Sequence, residues 1–363
     1  MEKPIKNNGP VAVGDALHDA LSRLSTNRRR YVEQHALPGE SYEQAAARLD
    51  GESQRTERTT RAAGRSPAKA AATVRKPPRG DEQPDFFVPA LYDVGTRDNR
   101  SMMDVAVFRL SKDKKRAGEV IHYELPDGYV EVKAGPDGMA SVWDYDIVLM
   151  LISHLTEATN RYREGKGEKP GRVFRPHVSD ILKFCRKGDG TRQFEEVEAA
   201  LARLQGTIIK SVREVRRDGK RAMREVESEG LISRHRVVSR TDTGKVASVE
   251  IEAPNWIYRE ITEGKRPEVL TVHPDYFLID PGIGRFVYRL ARRAAGKDTA
   301  TWAFRTIYER SGSTGTLKKF TENLRKIIAT DELPEYTLRE VAGKEGPLLV
   351  MRHRNAPIEV AGP

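Results

Sequence analysis

Residues 301–329 read TWAFRTIYERSGSTGTLKKFTENLRKIIA and carry the pattern that decides the fold. Apolar side chains recur every three or four positions on both sides of residues 311–315, which is the spacing of a helix with one buried face. Serine and glycine in that central run favour a tight turn. The stretch therefore predicts two helices, residues 301–310 and 316–329, joined by a short turn.

A predicted helix and a predicted hairpin flank this pair. Residues 284–295 place Phe286 and Leu290 on one helical face. Residues 336–341 and 348–352 are strand-like and surround a Gly-Lys-Glu-Gly run, which predicts a β-hairpin. Helices followed by a hairpin in this order are typical of a winged-helix domain, in which the hairpin is the wing.

The same order of helices and hairpin is predicted earlier in the chain. Three helices are expected: one opening at Asp144 or Asp146, and two at residues 178–185 and 191–206. A β ribbon, residues 207–227, turns at Asp218-Gly219, a pair that favours a type I′ turn. We interpret this ribbon as the wing of the first unit. A second ribbon is predicted over residues 231–251.

The remaining sequence divides the chain into regions. Short strands are predicted at residues 105–110, 120–123 and 129–133. Residues 62–84 contain almost no large apolar side chain and cannot bury enough surface to fold. The fold class predicted is α+β, with tandem winged-helix domains and a disordered basic N-terminal tail. The predicted regions are a mostly disordered basic N-terminal extension (1–84), an N-terminal winged-helix-like domain for dimerisation and DNA backbone contacts (85–264), a C-terminal winged-helix DNA-binding domain (265–354) and a disordered tail (355–363).

The charge balance indicates an anionic partner. The chain has 63 Lys and Arg against 53 Asp and Glu, a net charge of +10. The excess lies in the first 80 residues and the last third, which favours two cationic contact regions over a uniformly basic surface. A single cysteine, Cys185, excludes a disulfide framework. No apolar run reaches the length of a membrane span. These features predict a cytoplasmic protein that binds nucleic acid.

The signatures of catalysis are missing from the sequence. Glycines in residues 312–319 are three apart and no Gly-Lys-Ser/Thr follows, so this run predicts a turn and not a nucleotide-binding loop. No two histidines flank a single hydrophobic residue, as a strand-nicking initiator would require. Asp144 and Asp146 form a carboxylate pair, but their place at a helix start favours capping. We expect no enzyme activity, no metal site and no cofactor.

The predicted recognition helix, residues 316–329, has a cationic outer face. In a helix-turn-helix the second helix lies in the major groove, and its outward side chains reach base edges and phosphates. The outward residues here are Lys318, Lys319, Asn323, Arg325 and Lys326. Arginine and lysine suit guanine or phosphate, and asparagine suits adenine. The alternative is an ordinary amphipathic helix with a solvated charged face.

The first unit is less favourable for DNA. Its candidate recognition helix exposes Arg192, Gln193 and Arg203, but also Glu195, Glu196 and Glu198, which repel phosphate. Cations cluster instead at the tip of the ribbon: Arg216, Arg217, Lys220 and Arg221. A cationic hairpin tip fits a phosphate or minor-groove contact. The alternative is a solvated hairpin whose charges pair with neighbouring glutamates.

Several short motifs, taken in order, resemble the replication initiator protein A family of bacterial plasmids. They are residues 98–110 (DNRSMMDVAVFRL), residues 140–147 (ASVWDYDI), Arg175-Pro176 before a short helix, and residues 255–258 (NWIY). The resemblance spans roughly residues 84–354. It implies a non-enzymatic initiator with two winged-helix domains that binds direct repeats at a plasmid origin. It also implies local melting of the origin, recruitment of the host initiator and replicative helicase, and a homodimeric form.

Three other functions compete with this interpretation. A dimeric winged-helix repressor would bind an inverted repeat instead of direct repeats. An origin-nicking enzyme would form a covalent Tyr–DNA adduct in a metal-dependent reaction. An RNA-binding or scaffold protein would use the basic tail. Salt-dependent binding to duplex and single-stranded probes separates these classes.

Overall fold

The computed structural model describes residues 44–45, 47, 73–75, 96–112, 116–125, 128–188, 190–215, 223–240, 246–264 and 269–356. The chain divides into two compact units, residues 1–71 and 72–363. In the first unit, Gln44, Ala45 and Ala47 are helical. All helices and strands named below belong to the second unit.

Among the described residues, the second unit contains seven α-helices and twelve short strands. The helices are α1 (Tyr145–Arg163), α2 (Val178–Phe184), α3 (Thr191–Gly206), α4 (Asn255–Glu263), α5 (Gly282–Ala294), α6 (Phe304–Arg310) and α7 (Leu317–Thr330). The strands are β1 (Arg97–Asn99), β2 (Val120–Leu125), β3 (Gly128–Lys133), β4 (Val173–Phe174), β5 (Ile208–Val215), β6 (Met223–Gly230), β7 (Arg234–Arg240), β8 (Val246–Glu252), β9 (Val269–Thr271), β10 (Thr299–Ala303), β11 (Tyr336–Gly343) and β12 (Gly346–His353). Within the described residues, no helix has both the length and the apolar character needed to cross a membrane.

One succession of elements occurs twice. The first repeat is α1, β4, α2, α3 and the hairpin β7–β8, and the second repeat is α5, β10, α6, α7 and the hairpin β11–β12. Their sheets have matching orders, β4-β8-β7 and β10-β12-β11, and every strand pair in them is antiparallel. Each repeat is therefore a helix–strand–helix–helix–hairpin unit. The α+β class with small antiparallel sheets, predicted from the sequence, is confirmed.

The ribbon β5–β6 has a different role from the one predicted. It joins β2 and β3 in a four-stranded antiparallel sheet of order β2-β3-β5-β6. Ile209 lies opposite Val132 in this sheet, and both side chains are buried. The interpretation of residues 207–227 as the wing of the first repeat is wrong, because β7–β8 is the hairpin that pairs with β4. Alternating apolar residues show that a strand has a buried face but do not identify its partner.

Three local predictions also differ from the structure. Residues 105–110 form no strand: the segment is almost wholly buried, and its only bridge among the described residues joins Arg109 to Ser141. The predicted helix 301–310 begins at Phe304, because residues 299–303 pair with β12 as strand β10. Helix α4 follows Pro254 and was not anticipated.

Helix α1 is the centre of the hydrophobic core. Residues 145–152 are all buried, so this part of the helix is surrounded by protein on every side. It packs against β1 and α4. Asp144 occupies the N-cap position, as predicted, but its carboxylate accepts hydrogen bonds from Ser141 N and from the Arg203 guanidinium instead of capping the helix. Asp146 does not cap the helix either, because its carboxylate pairs with Arg285.

A buried ion pair joins the first helices of the two repeats. Arg285 on α5 donates from Nη1 to both carboxylate oxygens of Asp146 on α1, at 2.6 and 2.8 Å. The side chains are 1% and 0% exposed. The remaining donors of Arg285 bond to the backbone oxygens of Ile279 and Phe277. The guanidinium is thus nearly saturated by hydrogen bonds, which offsets the cost of its desolvation.

A second buried ion pair lies one turn further along α5. Arg289 Nε lies 2.5 Å from Asp98 Oδ2, and both side chains are 0% exposed. Tyr145 of α1 donates its hydroxyl to the same carboxylate at 3.0 Å. The Arg289 guanidinium also lies over the rings of Phe108 and Tyr145, at 4.9 and 4.7 Å from their centroids. We call the Asp98–Arg289 and Asp146–Arg285 pairs the clasp: the first joins β1 to α5, and the second joins α1 to α5.

Three residues of the predicted N-terminal extension are held against the folded elements of the second unit. Thr73 N donates to Glu332 Oε2 at 2.6 Å, and the Thr73 hydroxyl lies 2.7 Å from Thr330 Oγ1. Val74 forms an antiparallel bridge with Ile279. Arg75 donates to the carbonyl oxygens of Arg186 and Phe277. The prediction of a disordered extension over residues 1–84 did not anticipate these contacts.

The Glu250 carboxylate, in the sheet of the first repeat, should make the stability of the protein sensitive to acid. Hydrogen bonds from Arg236 and Arg175 lower the pKa of Glu250 from 4.5 to about 2. A depressed pKa in the folded state stabilises the protein above the unfolded pKa, and that stability is lost as the pH falls from about 4.5 toward 2. We expect the melting temperature of the wild type to exceed that of Glu250→Gln at pH 7. The difference should shrink by pH 2, and thermal melts across this range measure it. A difference that is independent of pH would contradict the assignment.

Candidate nucleic-acid interface

Helix α7 is fixed in rotation by its cap and its apolar face. The Thr316 side chain accepts a hydrogen bond from Lys319 N and caps the helix. Phe320, Leu324 and Ile327 are buried. Because these side chains recur at helical spacing, the opposite face of α7 is turned to solvent, as the sequence predicts.

The cations predicted on α7 lie on this outer face. Lys318, Lys319, Arg325 and Lys326 are all exposed. Lys318 and Lys326 have no acidic partner among the described residues, whereas Lys319 Nζ lies 3.2 Å from Glu322 Oε2. Asn323 lies between the two groups of cations and is half-buried.

Arg325 is more constrained than the lysines. Its guanidinium donates to both carboxylate oxygens of Glu340 on β11, at 2.9 and 2.7 Å. The bonds from Arg325 lower the pKa of the Glu340 carboxyl. This pair links α7 to its hairpin, so Arg325 has a structural partner in addition to its predicted contact with DNA.

The turn between α6 and α7 is held by hydrogen bonds from Arg116, which precedes β2, and from Tyr308 of α6, and it lies close to β2. Arg116 donates to Gly312 O at 2.7 Å, and Tyr308 donates its hydroxyl to Gly315 O at 2.8 Å. Gly312 has a φ of 58°, and a Cβ there would lie 2.6 Å from the Tyr123 hydroxyl oxygen. Only glycine meets both conditions without strain. The buried Ser311 hydroxyl bonds to Tyr308 O and stabilises the turn.

Helix α3 occupies in the first repeat the place that α7 has in the second. Arg192 is exposed and pairs with Glu196 at 3.0 Å, while Gln193 is half-buried. Glu195 and Glu196 are exposed beside them, so the acidic character expected from the sequence is present. Arg203 binds Asp144 at 2.8 and 2.9 Å across the core and does not face solvent as expected.

The cationic tip of the β5–β6 ribbon stays a sequence-based prediction. Arg216, Arg217, Lys220 and Arg221 lie outside the described residues. Sequence reasoning passed over Lys344, which is exposed in the turn of the β11–β12 hairpin. The Gly-Lys-Glu-Gly run that predicted the turn contains this lysine and could have identified it. Across the described part of the chain, no cluster of His, Cys, Asp and Glu side chains has the grouping of a metal site.

A family model and a known protein each match about two thirds of the chain. The model of the family described as "Replication initiator protein A" matches residues 97–338. A protein of Wigglesworthia glossinidia brevipalpis named "Putative replication protein" is 29% identical over 259 residues, which cover 70% of this chain and 89% of that relative.

Two solved structures are similar to the chain at low sequence identity. The structure of selenomethionine derivatives of domain 2 and domain 3 of RctB has a TM-score of 0.49 and 11% identity, and the match covers 70% of this chain and 97% of that one. A second structure of RctB domains 2–3 has a TM-score of 0.46 and 11% identity, with 67% and 93% covered.

Proposed function

This chain belongs to the replication initiator protein A family, and from this membership we propose that it initiates replication of a plasmid by binding direct repeats at the origin. In this proposal the protein promotes local melting of the origin and recruits the host initiator and replicative helicase. It acts by binding and not by catalysis.

The observation that carries the proposal is the exposed cation row of α7. Lys318 and Lys326 are held on one side of a helix whose other side is anchored by Phe320, Leu324 and Ile327. The helix follows α6 through a tight turn and is followed by the β11–β12 hairpin. This order supports a winged-helix domain at residues 265–354, with α7 in the major groove and the hairpin as the wing.

The first repeat would be the second DNA-contacting module, within residues 85–264. Glu195 and Glu196 on α3 make base contacts by this helix unfavourable. We therefore assign contacts with the DNA backbone, and dimerisation, to the first repeat. The clasp joins α1 and the neighbouring strand β1 to α5, so the two modules would engage the duplex in a fixed relation. Binding energy from both modules would then be available for bending and opening the DNA.

A nuclease footprint on the plasmid origin, with competitor DNA at physiological salt, tests this proposal. We expect periodic protection of direct repeats. Protection of one inverted repeat would replace the initiator by a winged-helix repressor. Cleavage with a covalent protein–DNA adduct in the presence of Mg²⁺ would indicate a nicking enzyme, and the absence of specific protection would refute origin binding.

The role of α7 gives a quantitative prediction. The double variant Lys318→Ala with Lys326→Ala should bind the origin about tenfold more weakly at physiological salt, because two phosphate contacts are lost. The slope of log K against log salt should become less steep by about 2 × 0.9. Fluorescence anisotropy across a salt series measures both quantities.

A matched control removes two lysines from other parts of the surface. Lys169 and Lys297 are exposed and lie in loops outside α7. The double variant Lys169→Ala with Lys297→Ala should keep the affinity and the salt slope of the wild type. Equal losses in both double variants would mean that α7 contributes only general positive charge.

A further inference from the structure

Strand β6 forms an open edge of the four-stranded sheet. In the order β2-β3-β5-β6, β5 is its one neighbour among the described strands. Every side chain of residues 224–228 is exposed, including Val226 at 52%. An edge strand turns a row of backbone N–H and C=O groups outward, and these groups can pair with an added strand.

A groove of about 990 Å³ lies over one face of the sheet, between its four strands and α4, and it reaches β6 at the edge. Trp256 of α4 lines it, and the indole Nε1 is buried without a hydrogen-bond partner among the described residues. Six carboxylates line the groove: Asp104, Glu225, Glu227, Glu229, Glu260 and Glu263. An acidic lining is notable in a chain whose net charge is +10.

The basic side chains of the groove are fewer, and they face carboxylates. Four arginines line it: Arg213, Arg259, Arg293 and Arg310. Arg259 lies 2.5 Å from Glu227, Arg293 lies 2.7 Å from Asp104 and Arg310 lies 3.9 Å from the same aspartate. Arg213 lies opposite Glu225 in the β5–β6 register. Carboxylates remain in excess, so the groove repels phosphate and attracts cations.

The register of β6 indicates what sequence an added strand would have. Glu225 and Glu227 lie on the groove face of the sheet, while Val226 lies between them on the opposite face. Cross-strand neighbours of opposite charge are favourable, as are apolar neighbours. An added strand would therefore place Lys or Arg opposite the two glutamates and a β-branched residue opposite Val226.

A second copy of β6 does not have this pattern. Antiparallel pairing about a two-fold axis through Val226 sets Glu225 against Glu227. Pairing about an axis through either glutamate sets that residue against its own copy. Like charges directly opposite each other destabilise a strand pair in each case. The edge is thus protected against self-association and open to a basic strand.

We propose that the β6 edge and its groove dock an extended segment of another protein, in which Lys or Arg alternates with β-branched residues. The added strand pairs with the outward backbone of residues 224–228. Its cations lie over Glu225 and Glu227 and reach toward the Trp256 indole, where a cation–π contact is available. This surface is separate from α7, so the protein could hold DNA and this partner together.

The test uses a fluorescent capped peptide, KVKVKVK, and the full-length chain. We expect saturable binding by anisotropy, and binding at least about tenfold weaker for the block peptide KKKKVVV and for the variant Glu225→Lys with Glu227→Lys. Glu124→Lys makes a charge reversal on β2 at the other edge of the same sheet and should leave binding unchanged. Two peptides with N-methyl groups on alternate amides should differ, because only one of the two amide rows faces β6.

Each alternative outcome is distinguishable. Equal binding of KVKVKVK and KKKKVVV, or equal binding by both N-methylated peptides, would overturn strand addition. Full binding by Glu225→Lys with Glu227→Lys would overturn the site, provided that circular dichroism matches the wild type. A change in sedimentation of this variant would indicate a second copy as the occupant. Origin affinity measured on the same variant should be unchanged, so failure of DNA binding is scored separately.

Discussion

The Asp146→Ala variant is expected to lose about 3–5 kcal/mol of unfolding free energy. The substitution leaves the Arg285 guanidinium buried at the contact between α1 and α5 without its carboxylate. An uncompensated buried charge is far more costly than the loss of an exposed pair. Urea denaturation followed by circular dichroism measures the change, with the midpoint and the slope analysed together.

Two further variants separate this effect from a general loss of charge. Lys112 and Asp280 form an exposed pair, with side chains 56% and 51% exposed, so Asp280→Ala should cost less than about 1 kcal/mol. Asp146→Leu combined with Arg285→Met should recover most of the stability, because apolar side chains of similar volume can replace a buried pair. An equal cost for Asp146→Ala and Asp280→Ala would show that the clasp does not hold the repeats together.

The Gly282→Ala variant is expected to lose about 2–3 kcal/mol. Gly282 is the buried first residue of α5, and a Cβ there would lie 2.2 Å from the Leu110 carbonyl oxygen. That oxygen belongs to the backbone of the buried segment 105–110, so a side-chain rotation cannot remove the clash. The start of α5 or the segment must shift, and this shift would loosen the contacts of Arg285 and Arg289 nearby.

The control for Gly282 is a glycine with free space around it. A Cβ at Gly171 would have no heavy atom within 4 Å, and its φ is not in the left-handed region. Gly171→Ala should leave the urea midpoint within the error of the wild type. If Gly282→Ala behaved in the same way, the close approach of α5 to Leu110 would not be needed for stability.

The Asp146→Ala and Gly282→Ala variants also test the proposed DNA binding, because both substitutions disturb the contact between the two repeats. The clasp joins α5, the first helix of the second repeat, to α1 and β1, and α7 lies in the second repeat as well. If the repeats engage one duplex together, a loosened clasp should weaken origin binding even at temperatures where each variant is folded. We expect the Lys318→Ala and Lys326→Ala changes to act without any loss of stability, because both side chains are exposed.

Local pattern was sufficient for the elements that carry the candidate interface. The face of α7 was predicted because Phe320, Leu324 and Ile327 follow the helical period and charged residues fill the gaps. The β11–β12 hairpin was predicted because a Gly-Lys-Glu-Gly turn separates two strand-like runs. Each of these features depends on residues a few positions apart, so the sequence holds the whole signal.

Local pattern failed where an element's partner is distant in the chain. Residues 301–303 were assigned to a helix because their β partner, β12, lies about fifty residues further on. Residues 105–110 looked like a strand because their apolar run does not show whether burial comes from a sheet or from surrounding side chains. The β5–β6 ribbon was assigned to the first repeat because its pairing with β3 is not visible in its own sequence.

The helical faces, the hairpin turns, the net charge of +10 and the family resemblance all follow from the order of residues in the chain. The pairing of charged side chains follows only from the folded arrangement. Asp98 and Asp146 meet Arg289 and Arg285 across 191 and 139 residues of chain, and Arg325 is shared with Glu340. Helix and turn formation depend on neighbours within a few residues, whereas ion pairing depends on distance in space, which only the folded chain sets.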